Sequence, residues 1–333
     1  MADRPSLLVA AGAGGDGEAL PERRFAQDFS APFSCIPFLD TPEVVHMGLN
    51  RLDTRHWVLP CHTLPHYHHH KIAARRVLGD KVYAQLPESL PAQRELGERL
   101  YQHLINDHAG YACTSAGPLR WQADGKALYW TGLASQLASG EPLWDASGWI
   151  ADDICLLQPG KHGYVLVAAS LTAPSYWRLE EKIGRPLDAI HRPVPGFQNK
   201  LSAQVARFFD HLKPAYPVWR GNWSLVTSAE LLQRGGVSVD SSGTGETKNQ
   251  RAYLRIERQS LRRLPKTGAV VFTIRVSINP LEDLLLIEGG VAALQAAVEA
   301  MSPEETRYKS LAPLLQDEHG PLRQFFTEHG GRI

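Results

Sequence analysis

The 333 residues carry 35 Lys+Arg against 35 Asp+Glu, a formal net charge of zero, which argues against the basic surplus that phosphate neutralisation demands of a nucleic-acid-binding protein. With 43% apolar and 21% charged residues the composition is that of a folded chain with a sizeable core, and no run approaches the roughly 18 apolar residues of a membrane span. Four cysteines, Cys35, Cys61, Cys113 and Cys155, lie far apart without a CxxC pair, which excludes a zinc ribbon or a cysteine-ligated iron–sulfur cluster and predicts a reduced, cytoplasmic protein.

Residues 1–24 read as a flexible tail. They hold a literal G-x-G-x-x-G at Gly12, Gly14 and Gly17, but Pro21 breaks the helix that a dinucleotide-binding fingerprint needs at its last glycine. From Phe25 to Arg76 prolines and aromatics dominate, as in a segment that wraps over a core in extended form. Helical spacing follows at 71–78 and at 91–107, the second through Leu96, Leu100, Leu104 and Ile105, and 127–130 is strand-like. Residues 154–157 and 164–168 are apolar strands joined by the turn signal Gln158-Pro-Gly-Lys-His-Gly163, a hairpin.

A helical block over 172–213 comes next, with Leu201, Val205, Phe208, Phe209 and Leu212 on one helical face. Strands resume at 218–228, 252–261 and 269–278; the last alternates Phe272, Ile274, Val276 and Ile278 with Thr273, Arg275 and Ser277. Residues 235–249 are a long polar loop between two of them, and from Leu281 the pattern is helical. Two strands, a helical block and three strands predict an α+β fold, an antiparallel sheet with helices on one side, which is also the order of a PAS domain. The chain then divides into the tail 1–24, an N-terminal extension 25–148 wrapping the core, a core 149–280 and a C-terminal helical extension 281–333.

Several constellations compete as reactive sites. His66-Tyr-His-His-His70, preceded by His62, sets imidazoles at i and i+4, a spacing that permits metal ligation and would suit a metal-dependent hydrolase. No acidic or cysteine partner and no HExxH base accompanies it, and a solvated His-rich helix start is the alternative. Asp152-Asp153 are either paired carboxylates or a polar turn ahead of a buried strand. His191 ends a short helix begun near Pro186 and stopped by Pro193 and Pro195, where it is either a cap, a packed side chain or a rigidly held iron ligand. On the strand at 252–260, Tyr253, Arg255, Glu257 and Gln259 share the face opposite Leu254, Ile256 and Arg258. A carboxylate among guanidinium groups there is either an ion pair or a polarised binding site. No G-x-S-x-G elbow and no P-loop occurs.

The densest stretches are Trp177-x-Leu-x-Glu-Lys-Ile-Gly-Arg-Pro-Leu187, Ile190-His-x-Pro-Val-Pro195, Val218-Trp-Arg-x-Asn-Trp-Ser224 and Leu254-Arg-Ile-Glu-Arg-Gln-x-Leu-Arg-Arg-Leu-Pro-x-Thr-Gly268, with a weaker Met47-Gly-Leu-Asn-Arg-Leu-Asp53 upstream. In this order and spacing they resemble the haem-dependent oxidative N-demethylase alpha-subunit family, over about residues 33–315. The resemblance implies a PAS-like fold that binds haem b. It implies O2-dependent oxidation of a small secondary amine, dimethylamine in the characterised type, to a primary amine and formaldehyde. Electrons are implied to come from a separate flavin/iron–sulfur reductase subunit, in a homo- or hetero-oligomer.

Carried onto this chain, the resemblance makes His191 the axial ligand of the haem iron and Glu257, Arg220 and Arg255 the catalytic set. Glu257 would hold the protonated amine, and the arginines would stabilise oxygen as it gains negative charge. Arg258, Arg275 and Trp223 become cofactor contacts. A non-catalytic haem- or gas-sensing PAS protein is the alternative, although no output domain is visible. The chain departs from the family pattern after Trp57: Leu59-Pro-Cys-His-Thr-Leu-Pro-His-Tyr-His-His-His70 stands where acidic and tyrosine residues are expected, which puts the substrate and partner contacts in question there.

Overall fold

Strand after strand of this chain is apolar on one side and mixed on the other, and these strands assemble into two antiparallel sheets. The structure, a computed structural model, describes residues 35–43, 45–115, 117–234, 251–309, 311–315 and 320–330. In chain order the strands are β1 (Asn50–Arg51), β2 (Tyr83–Gln85), β3 (Tyr111–Cys113), β4 (Pro118–Ala123), β5 (Lys126–Gly132), β6 (Asp153–Gly160), β7 (Gly163–Ser170), β8 (Val218–Val226), β9 (Tyr253–Arg263) and β10 (Val270–Pro280). The large sheet runs β1-β8-β9-β10-β6-β7-β2, and the small one β3-β4-β5.

The expected hairpin is β6–β7 and the expected last three strands are the β8–β9–β10 meander. The fold is α+β. The chain leaves β7 near one edge and must reach β8 near the other, with β6, β10 and β9 between them. The helices Leu187–Ile190, Phe197–Lys200 and Ser202–His211 make that crossing. The meander closes on the hairpin through β10, where Phe272 pairs with Cys155 and Val270 with Leu157.

Directly paired residues of an antiparallel ladder share a face. One face therefore carries Cys155 and Leu157, Phe272 and Ile274, Arg255, Glu257 and Gln259, and Arg220 and Asn222. The crossover helices lie on this face: Leu179 and Ile190 pack with Cys155 and Leu166, and Phe209 and Leu212 pack with Leu157, Leu261 and Val270. The opposite face is covered by the two extensions. Trp57, Tyr67, Leu96, Leu100 and Trp149 pack over Ile154, Leu156 and Val271, while Phe38 and the C-terminal Leu294, Leu322, Phe325 and Phe326 pack over Trp223, Leu225, Leu254 and Ile256. Burying both faces makes every side chain of the central strands part of a core or a site.

The segment before β6 does more than cover that face. It supplies both edge strands of the large sheet, β1 against β8 and β2 against β7, and builds the small sheet. Its first long helix starts at Leu64 rather than 71, because Pro65 in the first turn favours initiation and the histidines continue the same helix. The second, Leu90–Asp107, places buried Glu95 on the β9–β10 turn, where it accepts hydrogen bonds from Lys266 N, Thr267 N and Thr267 Oγ1 at 2.7–2.8 Å. The Pro-x-Thr-Gly part of the longest motif is thus a turn held by a distant carboxylate. Gly268 completes it at φ +71°, the left-handed region that glycine enters without cost. The tail with Gly12, Gly14 and Gly17 and the loop 235–249 lie outside the described residues.

Gly221 has a different reason to be glycine. A Cβ there would stand 2.5 Å from Pro37 Cγ and 3.3 Å from Cys35 Sγ, so its absence lets the Pro37–Asp40 turn of helix lie directly on β8. Gly221→Ala is expected to destabilise the protein by about 1–3 kcal/mol through overpacking against a rigid proline ring. Urea unfolding checks this, and an unchanged midpoint would contradict the contact.

Candidate functional site

The site is built around one carboxylate. Glu257 sits at the middle of β9 with its side chain 12% exposed, and three donors converge on it. Arg255 Nε reaches Oε1 at 3.1 Å, while Asn222 Nδ2 and Gln259 Nε2 reach Oε2 at 3.1 and 3.0 Å. All four residues share a face because Asn222 pairs directly with Glu257 and Arg255 and Gln259 flank it by two. Burial works to raise the Glu257 pKa, but Arg255 and the three hydrogen bonds together carry it below the usual glutamate value, so the group is ionised at neutral pH. An ionised carboxylate offers about four acceptor positions, and three donors leave one on Oε1.

Arg255 is fully buried and wholly committed: Nη2 donates to Ala173 O, Nη1 to Leu231 O at 3.3 Å, and Nε to Glu257. It holds the carboxylate, and each of its three nitrogens already has an acceptor. Arg220, paired with Gln259 on the same face, is the contrast. Its Nε is buried and makes no hydrogen bond among the described residues, while burial lowers its pKa against the opposing pull of Glu257.

His191 follows the Leu187–Ile190 helix as its C-cap, as the prolines predict. Its Nδ1 lies 2.9 Å from Leu187 O, and since a carbonyl only accepts, Nδ1 carries the proton and Nε2 the lone pair. The ring stacks on Phe197, with centroids 4.7 Å apart and planes 15° from parallel. Burial and then Arg220 push its pKa down, against a raising effect of the Leu187 carbonyl, so the imidazole is neutral at pH 7. Fixed tautomer, fixed ring and free lone pair are what a metal-ligating histidine requires. Among the described residues Nε2 has no hydrogen-bond partner.

The register does not bring Arg258, Arg275 and Trp223 to this set. Arg258 turns to the opposite face, donating to His56 O at 2.6 Å and Trp57 O at 3.2 Å with Trp219 beneath it. Arg275 pairs with Arg258 across the ladder and lies 4.0 Å over the Tyr67 ring. Trp223 meets Phe38 edge-on at 5.2 Å in the C-terminal core. The histidine stretch is divided likewise: His66 Nε2 lies 3.3 Å from Lys126 Nζ, His68 Nδ1 bonds Gly148 O, and His70 Nε2 bonds Thr172 O. Among the described residues no three His, Cys, Asp or Glu side chains are grouped to hold a metal ion. Asp152 and Asp153 are buried rather than in a solvent-facing turn. Asp153 accepts three hydrogen bonds, from Thr172 N, Thr172 Oγ1 and Ala173 N. The Asp152 pKa is raised by burial.

Sequence reasoning missed the residues that complete the site from afar. Lys309, past the Pro303–Tyr308 helix, donates to Trp223 O and lies 3.4 Å from Asn222 Oδ1, which points the Asn222 amide nitrogen at Glu257. Its ammonium also caps a carbonyl of β8 beyond the short β1, where among the described residues no strand pairs with that side of β8. Tyr308, its pKa raised first by burial and then by Glu257, and His46, its pKa lowered by burial and then by Arg220, lie within electrostatic reach. Asn222 and Gln259 lay inside the motifs, but only their direct pairing shows that both serve Glu257.

Residues 48–317 match the profile of the family described as haem-dependent oxidative N-demethylase, alpha subunit-like. The chain belongs to that family. Membership brings haem dependence and a general oxidative N-demethylase-like function, and an alpha subunit implies a partner subunit. No helix among the described residues is long and apolar enough to cross a membrane. The residues present fit a haem: a neutral imidazole lies near a buried guanidinium nitrogen, and among the described residues His191 Nε2 has no donor and Arg220 Nε no acceptor.

Two buried lysines give this family member a pH signature. Lys71 Nζ, fully buried between Ser147 O and Asp152 O, and Lys309 both have pKa values pushed by burial from 10.5 to about 8. Above pH 8 the folded state therefore holds fewer protons than the unfolded one, and stability rises with pH until the unfolded state begins to lose its own protons. The Cys155 thiol, pushed up by burial, acts in the opposite sense above pH 9. Between pH 8 and 9 the urea midpoint is expected to rise, and Lys71→Met to remove about half of that slope. A slope identical in the variant would show that Lys71 does not titrate there.

Proposed function

We propose that the chain is the haem b-binding catalytic subunit of a cytoplasmic oxidative N-demethylase acting on a small secondary amine of the dimethylamine kind. The overall change consumes the secondary amine, O2, two electrons and two protons, and yields the primary amine, formaldehyde and water. The electrons come from a separate flavin/iron–sulfur reductase subunit. The observation that carries this reading is a buried, ionised Glu257 with one open acceptor position, on the same side of the sheet as a His191 prepared to ligate iron. Supporting it is the arrangement of hairpin, helical crossover and meander, which suits a PAS-like core at 149–280 with extensions on either side.

Within this reading His191 Nε2 would hold the iron, from a helix end stiffened by Pro193 and Pro195. The haem, when bound, supplies the oxidative chemistry. The protein contributes charge and position. Glu257 accepts a hydrogen bond from the protonated amine, and its low pKa keeps it able to do so at neutral pH. Arg220 offers donors to an anionic group on that face, such as a propionate or a developing oxyanion. Arg255, Asn222 and Gln259 keep the carboxylate from turning away.

Purified, haem-supplemented protein is expected to show a Soret band near about 400 nm that His191→Ala abolishes. Wild-type protein without Soret absorbance would overturn the haem assignment. With the reductase present, dimethylamine is expected to yield formaldehyde. Glu257→Gln is expected to keep the Soret band but raise KM for the amine by about tenfold or more, since a charge-assisted pair is lost. An unchanged KM would remove Glu257 from amine binding.

A further inference from the structure

We infer that Asp153 and His70 are positioning residues for Glu257, acting through the Thr172–Ala173 backbone and Arg255. The inference rests on Glu257 being the amine anchor proposed above. Arg255 is fully buried, yet Nε rather than a terminal nitrogen meets the carboxylate, so its guanidinium must be held along the strand.

A guanidinium is a rigid planar fork, so its orientation is set by the acceptors of its other nitrogens. Those acceptors are Leu231 O for Nη1 and Ala173 O for Nη2. Ala173 lies beyond the end of β7 and ahead of the Ser175–Gln233 bridge, where Pro174 O accepts from Gln233 N. Asp153 holds the backbone on the near side of it. Its Oδ1 accepts from Thr172 N and Thr172 Oγ1, both at 2.9 Å, and its Oδ2 from Ala173 N at 2.7 Å. From the other side His70 Nε2 donates to Thr172 O at 2.8 Å, the peptide whose nitrogen is Ala173 N.

Both ends of the Thr172–Ala173 peptide are thus pinned by side chains, one from β6 and one from the Leu64–Leu78 helix beneath the sheet. With that peptide fixed, Ala173 restricted to extended backbone by the following Pro174, and Pro174 O held by Gln233 N, the Ala173 carbonyl keeps its direction, and with it the plane of Arg255 and the direction of Nε toward Glu257 Oε1. Asp153 is 1% exposed, and its hydrogen bonds go to Thr172 and Ala173. The last histidine of the conspicuous stretch thereby acquires a role that is neither metal ligation nor solvation.

The test uses haem-loaded full-length protein and two readouts. Amine affinity is followed by titrating dimethylamine against the Soret spectrum. Hydrogen exchange of the Arg255 Nε–H, assigned by its loss in Arg255→Lys, reports the clamp without any amine. Asp153→Asn is expected to keep the Soret band, weaken amine binding by about tenfold and speed Nε–H exchange by a similar factor, as loss of a charge-assisted hydrogen bond predicts.

In a Glu257→Gln background Asp153→Asn is expected to weaken amine binding no further, because the two act as one unit. His70→Gln, which keeps an N–H donor, should behave as wild type, while His70→Leu should show the Asp153→Asn pattern more weakly. This second pair decides the matter if Asp153→Asn does not fold. Wild-type protein that takes haem but shows no amine response overturns the Glu257 reading, and the exchange readout still judges the clamp. Unchanged Nε–H exchange in both Asp153→Asn and His70→Leu overturns the inference, as does equal behaviour of His70→Gln and His70→Leu.

Discussion

A carboxylate taken out of water must be surrounded by donors or give up its charge. Glu257 keeps its charge, and much of the molecule is arranged to let it. Arg255 and Gln259 come from its own strand two residues away, Asn222 from the neighbouring strand, and each of these is held in turn by something more remote. Lys309 orients Asn222 from the C-terminal extension, and the carbonyls of Ala173 and Leu231 orient Arg255 from segments after β7 and β8. The segments that precede and follow the central sheet are therefore structural partners of the site.

The arginine-rich strand β9 shows how one sequence serves two ends. Its odd-numbered positions 255, 257 and 259 form the polar face turned to the crossover helices. Arg258 and Arg262 point the other way, into aromatic and carbonyl environments of the N-terminal extension, where Arg262 lies 4.6 Å over Trp57. Guanidinium groups suit both tasks: they can align a carboxylate or bury their flat faces on aromatic rings while satisfying stray carbonyls. Of the four arginines in the motif, Arg255 alone serves the carboxylate; Arg258, Arg262 and Arg263 are mortar.

Much of this was legible in the sequence. The order of strands and helices follows from period-two alternation in Phe272–Ile278 and the helical stripe Leu201–Leu212, and alternation alone already sets Glu257 apart from Arg258. The short helix ending at His191 could be read from its prolines. What alternation could not supply was the register between strands, which unites Asn222 and Glu257 and sends Arg275 and Trp223 elsewhere. Contacts such as Lys309 with Asn222, or Asp153 with Ala173, join residues far apart in sequence and leave no periodic trace. Burial of Asp153 was illegible for the same reason: a strand-leading aspartate looks solvated until the chain that covers it is placed.

Strand β8 gathers segments that precede and follow the central sheet in sequence. Pro37 lies on it at Gly221, and Lys309 caps it at Trp223, so segments from near opposite ends of the polypeptide meet within three residues of each other. During synthesis the hairpin, crossover and meander are all made before Lys309 is, and until then a carbonyl of β8 lacks its donor and the Asn222 amide lacks its guide. Such long-range closure slows folding. It also makes the ring of donors around Glu257 wait on a segment that is synthesised after the whole central sheet. In the proposed enzyme, a chain able to bind substrate is then by construction one whose C-terminal extension has already docked.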